Sequence, residues 1–247
     1  MELKLLHLYY DLMNLYGENG NVRVLARHLR DQGFTVTVEQ KTVGDEVDFS
    51  QYAFVYIGSG TERNQKVALL DLHRHREQLA EQINGDAVFL LTGNAFEMLG
   101  EKILGADNQL YDGLGLASFT VTEHPDRRYT GDAVCVSDWY AKPILGFVNK
   151  CSELEHVETP LFDIRMGEGN KRGDSKEGIR LHNLLGTHLT GPVLVKNPHF
   201  MSYLIKLIGG RVEGFAYQEI IYEHELRGYE VTLAELMQRM DNMKSGG

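Results

Sequence analysis

The chain has 247 residues but only two cysteines, five prolines and one tryptophan. Cys135 and Cys151 do not form a C-x-x-C pair, so the sequence offers no zinc-binding or thioredoxin-type motif. Two cysteines in so long a chain also exclude a disulfide scaffold and fit a reducing compartment. No run of apolar residues approaches the ~20 needed for a membrane-spanning helix. The opening Met1-Glu2-Leu3-Lys4 has no signal-peptide pattern, so a soluble, cytoplasmic protein is expected, one that can still act on a lipid-linked substrate at a membrane surface. Positive charge is scarce. Lys and Arg number 25 against 35 Asp and Glu, for a formal net charge of −10, and the densest basic stretch is only His73-Arg74-His75-Arg76. A broad phosphate-binding face needs clustered cations, so nucleic acid is not an expected partner. There is no Pro- or Ser-rich linker and no internal repeat, so residues 1–247 read as a single domain.

Alternation of strand and helix patterns fills the first half. Leu3 to Tyr10, Phe34 to Val38, Ala53 to Ile57 and Ala87 to Leu91 read as strands, the last a fully apolar run suited to a parallel sheet covered on both faces. Between them, Asn21 to Gln32 has apolar residues at Val22, Leu25, Ala26 and Leu29 and stops at Gly33. A long helix is expected from Asn64 to Ile83, with Val67, Leu70 and Leu79 among its apolar positions, and another from Ala95 to Ile103. This is the order of an α/β fold with a doubly wound, mostly parallel sheet flanked by helices, of the flavodoxin-like type. The second half has shorter strands at Phe119 to Thr122, Asp132 to Val136 and Ile144 to Phe147, with two more flanking Asn183. A polar loop covers Gly167 to Gly178, a helix Pro198 to Ile208, and two amphipathic segments Ala216 to Leu226 and Leu233 to Met240, before a frayed tail at residues 244–247.

In an open α/β sheet, ligands bind outside the carboxyl ends of the strands. Four glycine-containing turns are therefore candidate site segments: Asp11 to Gly20, Gly58 to Gln65, Leu91 to Gly100 and Gly186 to Pro192. None is specific alone. Gly58-Ser59-Gly60 lacks the spacing of a dinucleotide fingerprint and equally describes a tight turn. Leu91-Thr92-Gly93-Asn94-Ala95 has the strand–turn–helix form of a nucleophile elbow, but Gly93 has no side chain to present, and the plainer reading is a glycine that satisfies a strained turn.

In combination, the segments resemble a known family. His7 to Asn21 (HLYYDLMNLYGENGN), Tyr56 to Gln65 (YIGSGTERNQ), Asp112 to Leu116, Gly146 to Asn149, Gly167 to Asn170 and Gly186 to Pro198 (GTHLTGPVLVKNP) resemble, in order, the glutaminase subunits of lipid II isoglutaminyl synthase. That family is a member of the cobyric-acid-synthase-like (CobB/CobQ-like) branch of class I glutamine amidotransferases. The resemblance runs from about residue 3 to residue 208, with the helices of residues 216–240 beyond it. It implies a cytoplasmic subunit of peptidoglycan-precursor amidation that needs no cofactor or metal. Its partner would be a Mur-ligase-like, ATP-dependent synthetase in a heterodimer, with glutamine or ammonia as small ligand.

The family's catalytic pieces do not carry over. Its elbow reads Cys-Gly-Gly-Tyr-Gln, one residue, then Leu-Gly; counted back from Leu99-Gly100, the cysteine falls on Gly93, the tyrosine on Phe96 and the glutamine on Glu97. Its general base lies in Tyr-Leu-His-Gly-Pro, here His188-Leu189-Thr190-Gly191-Pro192, so the histidine falls on Thr190. Amide hydrolysis through a thioester needs a thiolate and an imidazole that makes it; glycine supplies no thiol, and threonine shuttles no proton near neutral pH. The resemblance therefore implies a subunit without glutaminase activity. Binding residues are expected at Gly58, Ser59, Gly60, Asn94, Glu97 and Arg128, the last by its spacing to Gly131. Glu97 would add negative charge that disfavours a substrate carboxylate and favours an ammonium ion or amine. His188, two positions from Thr190 and on the same face of a strand, is the one conceivable stand-in base. The alternatives are an active glutaminase with a relocated nucleophile, a cobyric-acid-synthase-like amidotransferase, and another enzyme reusing the pocket.

Overall fold

The computed structural model describes residues 1–245. A six-stranded sheet carries the fold. Its elements are β1 (Glu2–Leu8), α1 (Asn19–Asp31), β2 (Thr35–Lys41), β3 (Phe54–Ile57), α2 (Glu62–Leu72), α3 (Arg76–Asn84) and β4 (Val88–Thr92). Two further short sheets follow, from β5 (Lys102–Leu104), β6 (Leu110–Asp112), β7 (Thr120–Glu123), β8 (Tyr129–Val136), β9 (Ile144–Lys150), β10 (Ser152–Glu155), β11 (Phe162–Met166) and β12 (Lys176–Glu177). The chain then rejoins the first sheet with β13 (Ile179–Leu181) and β14 (Leu184–Thr187), and continues as α4 (Val193–Lys196), α5 (Pro198–Gly209) and α6 (Glu223–Ser245).

Strand order in the large sheet is β13-β14-β4-β3-β1-β2. Every pair is parallel except β13 with β14. The order of strand addition reverses between β1 and β3, with β2 added on one side of β1 and β3 and β4 on the other, and the carboxyl ends at that switch point form the crevice where such folds take ligands. All residues of β3 and β4 are buried, as expected of strands covered on both faces. Two large apolar clusters lie on the two sides: one includes Leu6, Ile57, Leu69, Phe89 and Phe96, the other Leu5, Tyr56, Leu90, Phe200 and Leu204. Helix α1 buries Val22, Leu25, Ala26 and Leu29 at the expected spacing, and Gly33 follows at φ +90°, where a left-handed backbone lets the chain turn into β2.

Three local expectations are corrected. The long helix breaks into α2, a 3-10 turn at His73–His75 and α3. His75 is buried there with its ring 5.6 Å from that of Phe49, and this anchor interrupts a continuous helix. The face α2 buries is Gln65, Ala68, Leu69 and Leu72, so Val67 and Leu70 point to solvent. The segment after β4 is a 3-10 helix over Gly93–Leu99, not an α-helix from Ala95 to Ile103. At Gly100 a side chain would collide with Phe119, and Ile103 pairs with Val121 in a strand. The two C-terminal amphipathic segments are a single helix, α6, preceded by an irregular stretch through residues 216–222. Leu236 and Tyr229 of α6 pack on Val134 and Leu145 of the β8–β9 sheet, which supplies the tertiary burial that joins them. The expected frayed tail lies partly outside the described residues; Lys244 and Ser245 belong to α6. Among the described residues, no helix is long and apolar enough to cross a membrane.

Candidate functional site

A cavity of about 260 Å³ opens at the carboxyl ends of β1, β3 and β4. The turn after β1 contributes Tyr16, the turn after β3 contributes Ser59, Gly60 and Glu62, and the turn after β4 contributes Asn94 and Glu97. The β9–β10 junction closes the far wall with Asn149, Lys150, Cys151 and Ser152, and Arg128 reaches in from the start of β8. A second cavity of about 340 Å³ shares Arg128, Lys150, Cys151 and Ser152 with the first and adds Arg127, Glu153, Glu168 and Arg172. Of the expected residues, Ser59, Gly60, Asn94, Glu97 and Arg128 meet at this cavity; Thr190 and His188 do not line it, nor does Gly58, which packs against the Met13 carbonyl and Glu18.

Gly93 ends β4 at φ +61°, the sharp left-handed turn of an elbow. A side chain there would overlap Cβ and Oγ of Ser59 and come within 3.2 Å of the Ser59 Cα. Next to it, Asn94 pairs with the backbone of Gly60 in both directions: Gly60 N–H donates to Asn94 Oδ1 at 3.0 Å, and Asn94 Nδ2 donates to Gly60 O at 3.0 Å. The Ser59 hydroxyl reaches Asn94 Oδ1 at 3.4 Å, a weak contact.

Beneath the elbow lies a buried polar chain that connects α1, β3 and β4. Glu18 accepts from the Ser59 N–H at 2.5 Å and from the Thr92 hydroxyl at 2.8 Å. Thr92 Oγ1 meets the Tyr56 hydroxyl at 2.7 Å, Asn21 Nδ2 donates to that hydroxyl at 2.8 Å, and Asn21 Oδ1 accepts from Leu194 N–H at 2.8 Å. Burial pushes the Glu18 carboxyl up to about 7, although the Ser59 and Thr92 donors pull the other way.

Glu97 does not face the cavity as a free charge. Its carboxylate takes Gln65 Nε2 at 2.8 Å, the Ser152 hydroxyl, and His188 Nε2 at 3.2 Å. Burial alone would push this carboxyl up, but those three donors together hold it below the usual range. His188 is 1% exposed and sits between two carboxylates: its backbone N–H donates to Glu177 Oε1 at 2.6 Å, and its Nδ1 lies 3.4 Å from the same oxygen, an ion-pair distance without hydrogen-bond geometry. Thr187 donates to the other Glu177 oxygen at 2.8 Å. His188 is thereby a buried structural link between the elbow turn and the β12 strand, and the stand-in base has no open path to the cavity. Thr190 points elsewhere: its hydroxyl donates to the Phe147 carbonyl at 2.8 Å and its backbone bridges to Phe147.

Arg128 is engaged within the chain, donating to Asn149 Oδ1 at 2.9 Å and to Glu62 Oε1. Partial burial would lower its pKa, but the Glu62 carboxylate outweighs this and raises it. Cys151 is half-buried in the same wall, a placement the sequence did not reveal. Its thiol donates to Glu62 Oε1 at 3.2 Å and is pushed up to about 12 by burial and that carboxylate. The reactive form of a cysteine is the thiolate, so Cys151 is held in its inert form. Cys135, inside β8, is fully buried, which also pushes its thiol up.

Sequence reasoning missed Glu18 and Glu177, both at 0% exposure: Glu18 lies 41 and 74 residues from its donors, and Glu177, 10 and 11 residues from Thr187 and His188, falls in a stretch that reads as a polar loop. A buried acid within the glycine-rich turn after β1 was the available signal. Among the described residues, no group of three or more His, Cys, Asp or Glu is placed to hold a metal ion.

Residues 4–198 match the family model of the CobB/CobQ-like glutamine amidotransferase domain. The chain is 32% identical over 234 residues to the lipid II isoglutaminyl synthase (glutamine-hydrolyzing) subunit GatD of Staphylococcus aureus, an alignment covering 94% of this chain and 95% of that protein. It is 27% identical over 235 residues to the subunit of the same name from Streptococcus pneumoniae, covering 92% and 90%. A solved structure described as glutamine amidotransferase covers 83% of this chain and 98% of its own, with a TM-score of 0.54 at 14% identity, a likeness that bears on the fold alone.

Proposed function

We propose that this chain, which belongs to the CobB/CobQ-like glutamine amidotransferase family, is the amidotransferase-like subunit of a lipid II isoglutaminyl synthase-type complex and does not itself hydrolyse glutamine. The single domain serves a Mur-ligase-like, ATP-dependent synthetase in the cytoplasm, holding it in a competent shape while the nitrogen comes from free ammonia. The observation that carries this reading is the elbow. Gly93 brings no nucleophile, and the volume a side chain would need is taken by Ser59. Two further features support it: the Thr190 hydroxyl is spent on a backbone carbonyl, and His188 is sealed between Glu97 and Glu177.

A relocated nucleophile is the second reading, favoured by the position of Cys151 in the cavity wall. Against it stand the Glu62 carboxylate that accepts the thiol proton, the upward push on its pKa, and the lack of an imidazole among its hydrogen-bond partners. The test is reconstitution with the Mur-ligase-like protein. The two copurify, and ATP-dependent amidation of the acceptor carboxyl proceeds with ammonium but not with glutamine. Amidation at equal rates with glutamine alone would sink the non-hydrolytic reading, and failure to copurify would sink the subunit reading.

A further inference from the structure

The loss of a nucleophile does not by itself close a pocket. A glycine elbow left open would still bind the amide of an amino acid. Here Ser59 fills that space, and Asn94 occupies the neighbouring Gly60 backbone groups. Ser59 Cβ and Oγ lie where any side chain on Gly93 would project. Asn94 then turns its own carboxamide onto Gly60, taking the backbone N–H and the carbonyl at 3.0 Å each. That is the reciprocal two-bond pairing by which an incoming primary amide would be recognised, and the chain satisfies it internally. A ligand amide gains those two bonds only by displacing Asn94 from them, so the exchange yields no net hydrogen bond.

We infer that Ser59 and Asn94 plug the elbow, Ser59 by filling the side-chain space of Gly93 and Asn94 by acting as an internal substitute for a ligand's carboxamide, so that the cavity excludes glutamine independently of the missing thiol. This rests on the non-hydrolytic reading of the site and deepens it: the pocket has lost its substrate as well as its chemistry.

The first test compares Gly93→Cys alone with Gly93→Cys combined with Ser59→Gly and Asn94→Gly. Each is treated with a chloroketone analogue of glutamine, which alkylates a thiolate with loss of chloride. The modified cysteine is located by peptide mapping, so that Cys151 is counted separately. The introduced thiol reacts at least about tenfold faster in the unplugged variant, since overpacking displaces it in the other. If Gly93→Cys alone fails to fold while the triple variant folds, the steric half of the plug is supported directly. The second test needs no new thiol. Calorimetric titration with glutamine detects no binding to the natural chain and measurable binding to Ser59→Gly/Asn94→Gly. Equal alkylation rates in two folded variants, or glutamine binding to the natural chain as strong as to the unplugged one, overturns the plug. Glutamate release by the natural chain is a separate outcome that defeats the non-hydrolytic reading itself.

Discussion

Glu18 is a buried carboxyl whose ionisation opposes folding, and that gives a measurable pH dependence. Its folded pKa is raised to about 7 from an ordinary 4.5. A raised pKa means the native state binds this proton more tightly than the unfolded chain does. The stabilising contribution is therefore fully present below about pH 4.5 and is lost as pH rises through 7. Between pH 5 and pH 8 the linkage relation gives a loss of about 2.5 kcal/mol from this group alone. Glu18→Gln removes the titration and keeps the geometry. The amide oxygen accepts from Ser59 N–H and the amide nitrogen donates to Thr92 Oγ1; the Thr92 and Tyr56 hydroxyls reorient, a cost that is the same at both pH values and cancels in the comparison. Urea unfolding of both proteins at the two pH values isolates the effect, because every other titrating group is common to them. The natural chain loses about 2.5 kcal/mol more than the variant on going from pH 5 to pH 8. Equal pH dependence in the two proteins would refute the assignment of a raised pKa to Glu18.

Other expectations concern groups around the same crevice. His188→Ala leaves Glu97 and Glu177 buried without their shared imidazole, and lowers stability by about 3–5 kcal/mol in urea unfolding at neutral pH; a loss under about 1 kcal/mol would mean the link is not structural. Asn197→Ala removes a buried side chain that accepts from Leu145 N–H at 2.8 Å and donates to Leu145 O and Val193 O at 2.7 Å each, and costs about 2–4 kcal/mol with an unchanged denaturant slope. Cys151, with its thiol pushed up to about 12, alkylates at pH 8 about a thousandfold more slowly than an ordinary thiol, and Glu62→Gln accelerates it. A fast reaction in the natural chain would revive Cys151 as a nucleophile.

The sheet was legible because its strands are encoded locally. Phe54 to Ile57 and Val88 to Leu91 are continuous apolar runs too short for a buried helix and bounded by Gly58, Gly85 and Gly93, which marks them as strands covered on both faces. The glycines that end those strands were equally visible, and Ser59, Gly60 and Asn94 do converge. What could not be read was the direction of side chains set by long-range packing. Glu97 stood out as an added negative charge, yet Gln65, Ser152 and His188 enclose it, and residues 65 and 188 approach it only through the sheet. The alternation rule put His188 and Thr190 on one face, but β14 ends at Thr187, so the strand period no longer applies beyond it. The 3-10 segment after Gly93 escaped for a similar reason: residues 95–99 have helix-compatible composition, and they are stopped by the extended backbone at Gly100 and the pairing of Lys102–Leu104 with a strand 18 residues on.

The central claim is that this member of an amidotransferase family no longer opens the glutamine amide. The direct measurement is glutamate released from glutamine by the purified natural chain, alone and together with the proposed Mur-ligase-like synthetase. A Gly93→Cys/Thr190→His/Ser59→Gly/Asn94→Gly variant provides the comparison. The account predicts release no greater than the protein-free blank in both conditions. Release well above the blank by the natural chain, with or without its partner, would contradict it and require a nucleophile other than position 93.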